Sequence, residues 1–169
     1  MEKIGNLSEA ESRVLAAVRA CLGSVRSLVQ REPETVLDGL EVLRRLRAEV
    51  YEDLNQIQHE AMLLQTARLL EEDEFRGKAV EWWWNPRQTG GDLEPDLRGV
   101  IDGQPAVSVE ATASEDPQGT IDTRMASTLL KLSRMPGAKY YFVRSGKMEQ
   151  RAKTKIRKAD YPIEVRRLS

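Results

Sequence analysis

The chain holds one cysteine and one histidine among 169 residues, and that scarcity removes whole classes of chemistry. A structural zinc site draws about four ligands from Cys and His, so zinc-finger architectures are excluded. Cys21 falls in the apolar stripe of a helical pattern and reads as a small packed hydrophobe. His59 sits in the helical stretch IQHEAMLL with no nucleophile-elbow motif, which argues for a helix-surface or interface histidine rather than a Ser-His-Asp or Cys-His mechanism. No apolar run approaches the roughly 18 residues of a membrane helix. The opening MEKIGNLSEAE lacks the basic-then-apolar pattern of a signal peptide, so a cytoplasmic protein is expected, with no membrane partner. The Walker spacing of glycines before Lys-Ser/Thr is missing too, and with it the expectation of a nucleotide cofactor.

What is present is an ordinary globular composition, 40% hydrophobic and 31% charged, with an uneven distribution of charge. The net charge is −1, yet residues 1–123 carry 13 basic and 24 acidic side chains and residues 124–169 carry 13 and 3. The last quarter is therefore strongly basic, as suits a segment that gathers phosphate charge and releases counterions.

Periodicity divides the chain near residue 74. From Ser8 to Gln30, Val14, Val18, Cys21, Val25 and Leu28 recur at alternating spacings of four and three, which predicts an amphipathic helix. Ser8 and Glu11 fit a capping box at its start. A second helix is expected with Pro33 in its first turn and a stripe through Val36, Leu40, Leu43, Val50, Leu54, Ile57, Ala61 and Leu64, interrupted at Arg47. Gly39 is the expected bend. Residues 1–74 thus read as a helical hairpin, a candidate dimerisation element whose second helix runs into the core, and residues 75–169 as an α/β domain. In that domain, strands are expected at 79–85, 97–101 and 106–113, a helix at 119–135, a strand at 139–143, a basic helix at 147–158 and a strand at 163–168. The turn Asp102-Gly103 marks the hairpin.

That hairpin carries the chemistry. Pairing Ile101 with about Pro105 sets Asp96, at the start of one strand, opposite Glu110, near the end of the other. Two carboxylates so placed can share a hard divalent cation, Mg²⁺ or Mn²⁺, which activates water against a phosphodiester. Glu110 and Thr112 share one strand face.

The segment GGDLEPDLRGVIDGQPAVSVEATAS resembles the core motif of the PD-(D/E)XK nuclease superfamily, with Pro95-Asp96 as the PD element and Glu110 as the second acid. The resemblance covers approximately residues 60–143. It implies an α/β fold with a restriction-endonuclease-like αβββαβ core around a mixed central sheet, here preceded by the long helical hairpin. The implied activity is a metal-dependent endonuclease that binds DNA, with Asp96 and Glu110 as metal ligands. In this superfamily the preceding helix often supplies another acid. Glu60 is the first choice for it, with Glu71 and Glu74 behind. The chain departs from the pattern at the lysine, where EAT stands in place of EXK and Thr112 occupies the cationic position. Some superfamily members move that charge to the following helix, which nominates Lys131 as the fourth catalytic residue and Arg124 as its alternative. A lysine that fails to reach the carboxylates would leave a binding module with weak or absent catalysis.

The loop NPRQTGGD offers Arg87 and Gln88 to phosphate or base edges. Arg98 and Arg124 are further expected nucleic-acid contacts. The helix KMEQRAKTKIRKA adds Lys147, Arg151, Lys153, Lys155, Arg157 and Lys158, which would hold backbone phosphates without reading sequence. In WWW, Trp82 and Trp84 share a strand face for core or helix docking, with base stacking second.

Overall fold

A computed structural model of the chain describes residues 1–86 and 94–168. Six strands form one sheet in the order β1 to β6: β1 (Glu2–Ile4), β2 (Glu81–Trp84), β3 (Leu97–Ile101), β4 (Gln104–Thr112), β5 (Ala138–Val143) and β6 (Glu164–Arg167). β1 to β4 pair antiparallel, and β4, β5 and β6 run parallel. The helices are α1 (Leu7–Val29), α2 (Val36–Arg45), α3 (Glu52–Asp73), α4 (Thr120–Ser133) and α5 (Gly146–Ala159), and a π-helical turn at Leu46–Tyr51 joins α2 to α3.

The first helix lies where its periodicity predicts, but its cap differs. Asn6, not Ser8, is the N-cap, and its side chain accepts from the Ser8 N–H at 2.8 Å. Asn is among the strongest N-caps, which frees Glu11 to bind Arg68 of α3, with Nη2 to Oε2 at 2.8 Å. Pro33 lies ahead of the second helix rather than in its first turn. Thr35 and Asp38 form a reciprocal capping box that starts α2 at Val36. The irregularity in this long helix falls at the π-helical turn and not at Gly39.

Alternation along the strands sorts side chains into two cores. Val107, Val109 and Ala111 of β4, with Tyr140 and Phe142 of β5, face Ala10 and Val14 of α1 and Met62, Leu63 and Leu70 of α3. Tyr141 and Val143 face the other way, toward Met125 and Leu129 of α4 and Met148 and Ala152 of α5. Trp82 and Trp84 are buried together in the first core. Their indole N–H groups donate to Glu71 at 2.8 Å and Glu2 at 2.7 Å, so docking rather than stacking accounts for them. Residues on both sides of position 74 share this core, and β1 closes the sheet edge beside β2.

Candidate active site

A cleft of about 750 Å³ opens between α3 and α4 where β4 ends. The β3–β4 hairpin builds its floor. Asp102 and Gly103 both adopt positive φ, 51° and 74°, the turn that matches strand twist in a two-residue hairpin. The register runs Ile101 to Gln104 at the turn, one residue short of the expected Pro105, and Leu97 to Val109 at the far end, with a compensating shift between Gly99 and Val100. Asp96 therefore arrives beside Glu110. The Ala111 N–H donates to Asp96 Oδ2 at 3.0 Å, and Asn85 N–H donates to the Asp96 carbonyl at 2.9 Å. Backbone on either side thus fixes the PD residue.

Both carboxylates are buried. Burial, reinforced by repulsion from Asp96 and opposed by Lys131, pushes the Glu110 carboxyl from its ordinary 4.5 up to about 8. Tyr141 lies in register with Glu110 on β5, and burial together with both acids raises its phenol as well. Lys131 projects from α4 and brings Nζ to 2.7 Å from Glu110 Oε1.

The wall from α3 differs from expectation. Glu60 does not line the cleft; it accepts from Gln56 Nε2 at 3.1 Å along its own helix. Glu71 holds Trp82 and Glu74 binds Arg166, so neither runner-up takes its place. Successive helical residues diverge by about 100°, and here His59 is the one turned inward. It is a buried side chain rather than a surface one, with Nε2 3.2 Å from Asp96 Oδ2. Among the described residues its Nδ1 is buried without a hydrogen-bond partner, so Nε2 is the ring nitrogen that meets Asp96. The missed signal was periodicity: His59, Met62, Leu63, Thr66, Ala67 and Leu70 form the buried side of α3.

Of the expected nucleic-acid contacts, Arg124 lines the cleft and Arg98 does not, while Arg87 and Gln88 lie outside the described residues. None of the six basic side chains of α5 lines it either. Lys147 pairs with Asp116 at 2.8 Å, Arg151 with Asp122 at 2.8 Å, Lys155 with Asp122 at 3.1 Å and Lys153 with Glu149 at 2.6 Å. Arg151, with Lys155 behind it, holds the Asp122 carboxyl well below its usual range. Arg157 and Lys158 carry no ion pair among the described residues. The basic helix is thus mostly matched by acids of its own fold, although exposed pairs are individually weak.

Among the described residues no group of three or more His, Cys, Asp or Glu side chains converges as a metal cage. The site offers two adjoining carboxylates. That donor set fits Mg²⁺, which keeps several waters and is commonly bound through one or two carboxylates plus substrate oxygens. No family model matches the chain, and neither the curated proteins nor the solved structures yield a match. No helix among the described residues is long and apolar enough to cross a membrane.

Proposed function

We propose that this protein is a divalent-metal-dependent endonuclease of the PD-(D/E)XK type that hydrolyses DNA phosphodiester bonds. One observation carries the reading: Asp96 just ahead of β3, Glu110 of β4 and Lys131 of α4 meet in a single cleft. The element order α3, β2, β3, β4, α4, β5 agrees with the αβββαβ core of that superfamily, and α4 delivers the cation that Thr112 does not.

Asp96 and Glu110 are the residues to hold Mg²⁺ or Mn²⁺. Such an ion, when bound, supplies Lewis-acid stabilisation and a more acidic water. His59 and the Ala111 N–H fix the Asp96 carboxylate, limiting the reorganisation needed at the site. Lys131 supplies positive charge where a pentavalent phosphoryl group gathers negative charge, as water adds to phosphorus and the bond to the leaving oxygen breaks. Arg124, farther along the cleft wall, is placed for a neighbouring phosphate.

Purified protein is expected to cleave DNA with Mg²⁺ or Mn²⁺ and to lose at least about 100-fold in rate on Asp96→Asn, Glu110→Gln or Lys131→Met. Metal-independent cleavage untouched by these substitutions overturns the reading. The second reading is a nucleic-acid-binding or assembly module that has lost catalysis, favoured by Thr112 at the lysine position. Salt-sensitive DNA binding with no calorimetric signal for Mg²⁺ or Mn²⁺ would select it.

A further inference from the structure

The run that begins after Thr35 is the least buried part of the fold. Neither α2 nor the π-helical turn that continues it contains a buried residue. Its apolar side chains are nonetheless spaced for packing. Val36, Leu37, Leu40 and Leu43 cluster on one side of the helix and are 80%, 76%, 45% and 60% exposed. An apolar stripe of this kind marks an interaction site, because covering it recovers roughly 25 cal/mol for each Å² removed from water.

The charges indicate what covers it. Within residues 32–41 every charged side chain is acidic: Glu32, Glu34, Asp38 and Glu41. Within residues 42–48 every one is basic: Arg44, Arg45 and Arg47. Two copies laid side by side in opposite directions bring the acidic half of each against the basic half of the other, and their helix dipoles are antiparallel. A parallel arrangement sets like against like. Arg47 breaks the apolar stripe in the sequence, and in the antiparallel arrangement it meets the acidic start of the other helix. Within one chain Arg44 pairs with Glu41 at 3.7 Å and Arg45 with Glu49 at 3.0 Å. Both pairs are solvent-exposed and give way readily to a partner.

We propose that α2 is a self-association arm through which two copies of this chain pair antiparallel about a two-fold axis near Leu40, burying Val36, Leu37, Leu40 and Leu43. The contact is isologous, so it closes at two copies. It is independent of the chemistry of the cleft.

Light scattering and sedimentation velocity of the full chain in the micromolar range are expected to give twice the chain mass. Leu40→Glu with Leu43→Glu is expected to yield a monomer with an unchanged circular dichroism spectrum, since neither side chain belongs to a core. Arg44→Glu with Arg47→Glu is expected to weaken association at least about tenfold. Orientation is read by cross-linking in a Cys21→Ser background, where Leu40→Cys links two copies as a disulfide and Val36→Cys does not. A monomeric wild type overturns the proposal, including one that captures a different protein. So does a dimer indifferent to the Leu40 and Leu43 substitutions, or one that cross-links at position 36 as readily as at 40.

Discussion

Glu110 is placed where its charge is unwelcome. It is buried beside a second acid, with Lys131 as its nearest cation. The folded chain therefore prefers the protonated carboxyl, while the unfolded chain releases its proton near 4.5. Below that pH both states hold the proton and the contribution to stability is complete. As pH rises toward about 8 the folded state binds the extra proton and stability falls, by an amount on the order of a few kcal/mol. Glu110→Gln removes the conflict. In metal-free buffer the melting temperature of this variant is expected to exceed that of the wild type by a margin that widens from pH 5 to pH 8, and Mg²⁺ is expected to narrow the margin by stabilising only the wild type. Parallel melting curves across this range would show that Glu110 is not strained. The same residue shows what was legible in the sequence. Asp96 and Glu110 could be placed side by side by reading Ile101 opposite about Pro105; the turn pairs Ile101 with Gln104 instead, and the register shift between Gly99 and Val100 restores Asp96 to Glu110. Glu60 was the wrong choice beside His59 because the buried spacing through Met62, Leu63, Thr66, Ala67 and Leu70, extended back by one turn, falls on position 59.

Among the elements, the β3–β4 hairpin was the most legible, because Asp102-Gly103 fixes the turn and the pairing next to it. What the sequence did not announce was the irregularity inside it. A Cβ on Gly99 would stand 2.7 Å from Val107 Cγ1 and 3.0 Å from the Trp82 ring, at the point where the register shifts between Gly99 and Val100. Glycine at this position leaves room for the side chains of Trp82 and Val107, its neighbours on β2 and β4, to fold across β3. Gly99→Ala is expected to cost about 1–3 kcal/mol of stability through overpacking, and to weaken Mg²⁺ binding because the displaced strand carries Asp96. Denaturant unfolding and calorimetry on the one variant measure both effects, and unchanged stability would mean the close approach has room to relax. Other elements escaped notice for reasons of length or symmetry. β1 spans three residues, too few for alternation to register, and its pairing with Trp82–Trp84 is a long-range fact. The π-helical turn retains helical spacing on both sides and leaves no compositional mark.

At the scale of the molecule, the α/β class could be read from the change of period after α3, and the sheet with helices on both faces follows from it. The division of the chain into a hairpin before residue 74 and a domain after it is a different matter. Periodicity reports where an element changes type, not where packing ends. Met62, Leu63, Leu64, Ala67 and Leu70 of α3 are buried in the same core as Val107, Val109 and Phe142 of the sheet. Arg166 in β6 also binds Asp73 and Glu74 at the end of α3, so the second helix runs into the core as its sequence suggested. A fragment of residues 75–169 would expose one whole face of the sheet, losing far more burial than a net stability of about 5–15 kcal/mol can absorb. It is expected to lack a cooperative thermal transition and to show dispersed amide signals only when a separate peptide spanning residues 1–74 is added. The full chain is expected to unfold in one transition with equal calorimetric and van't Hoff enthalpies. A fragment that melts cooperatively alone would place the boundary at residue 74 and assign the stability of the sheet to α4 and α5.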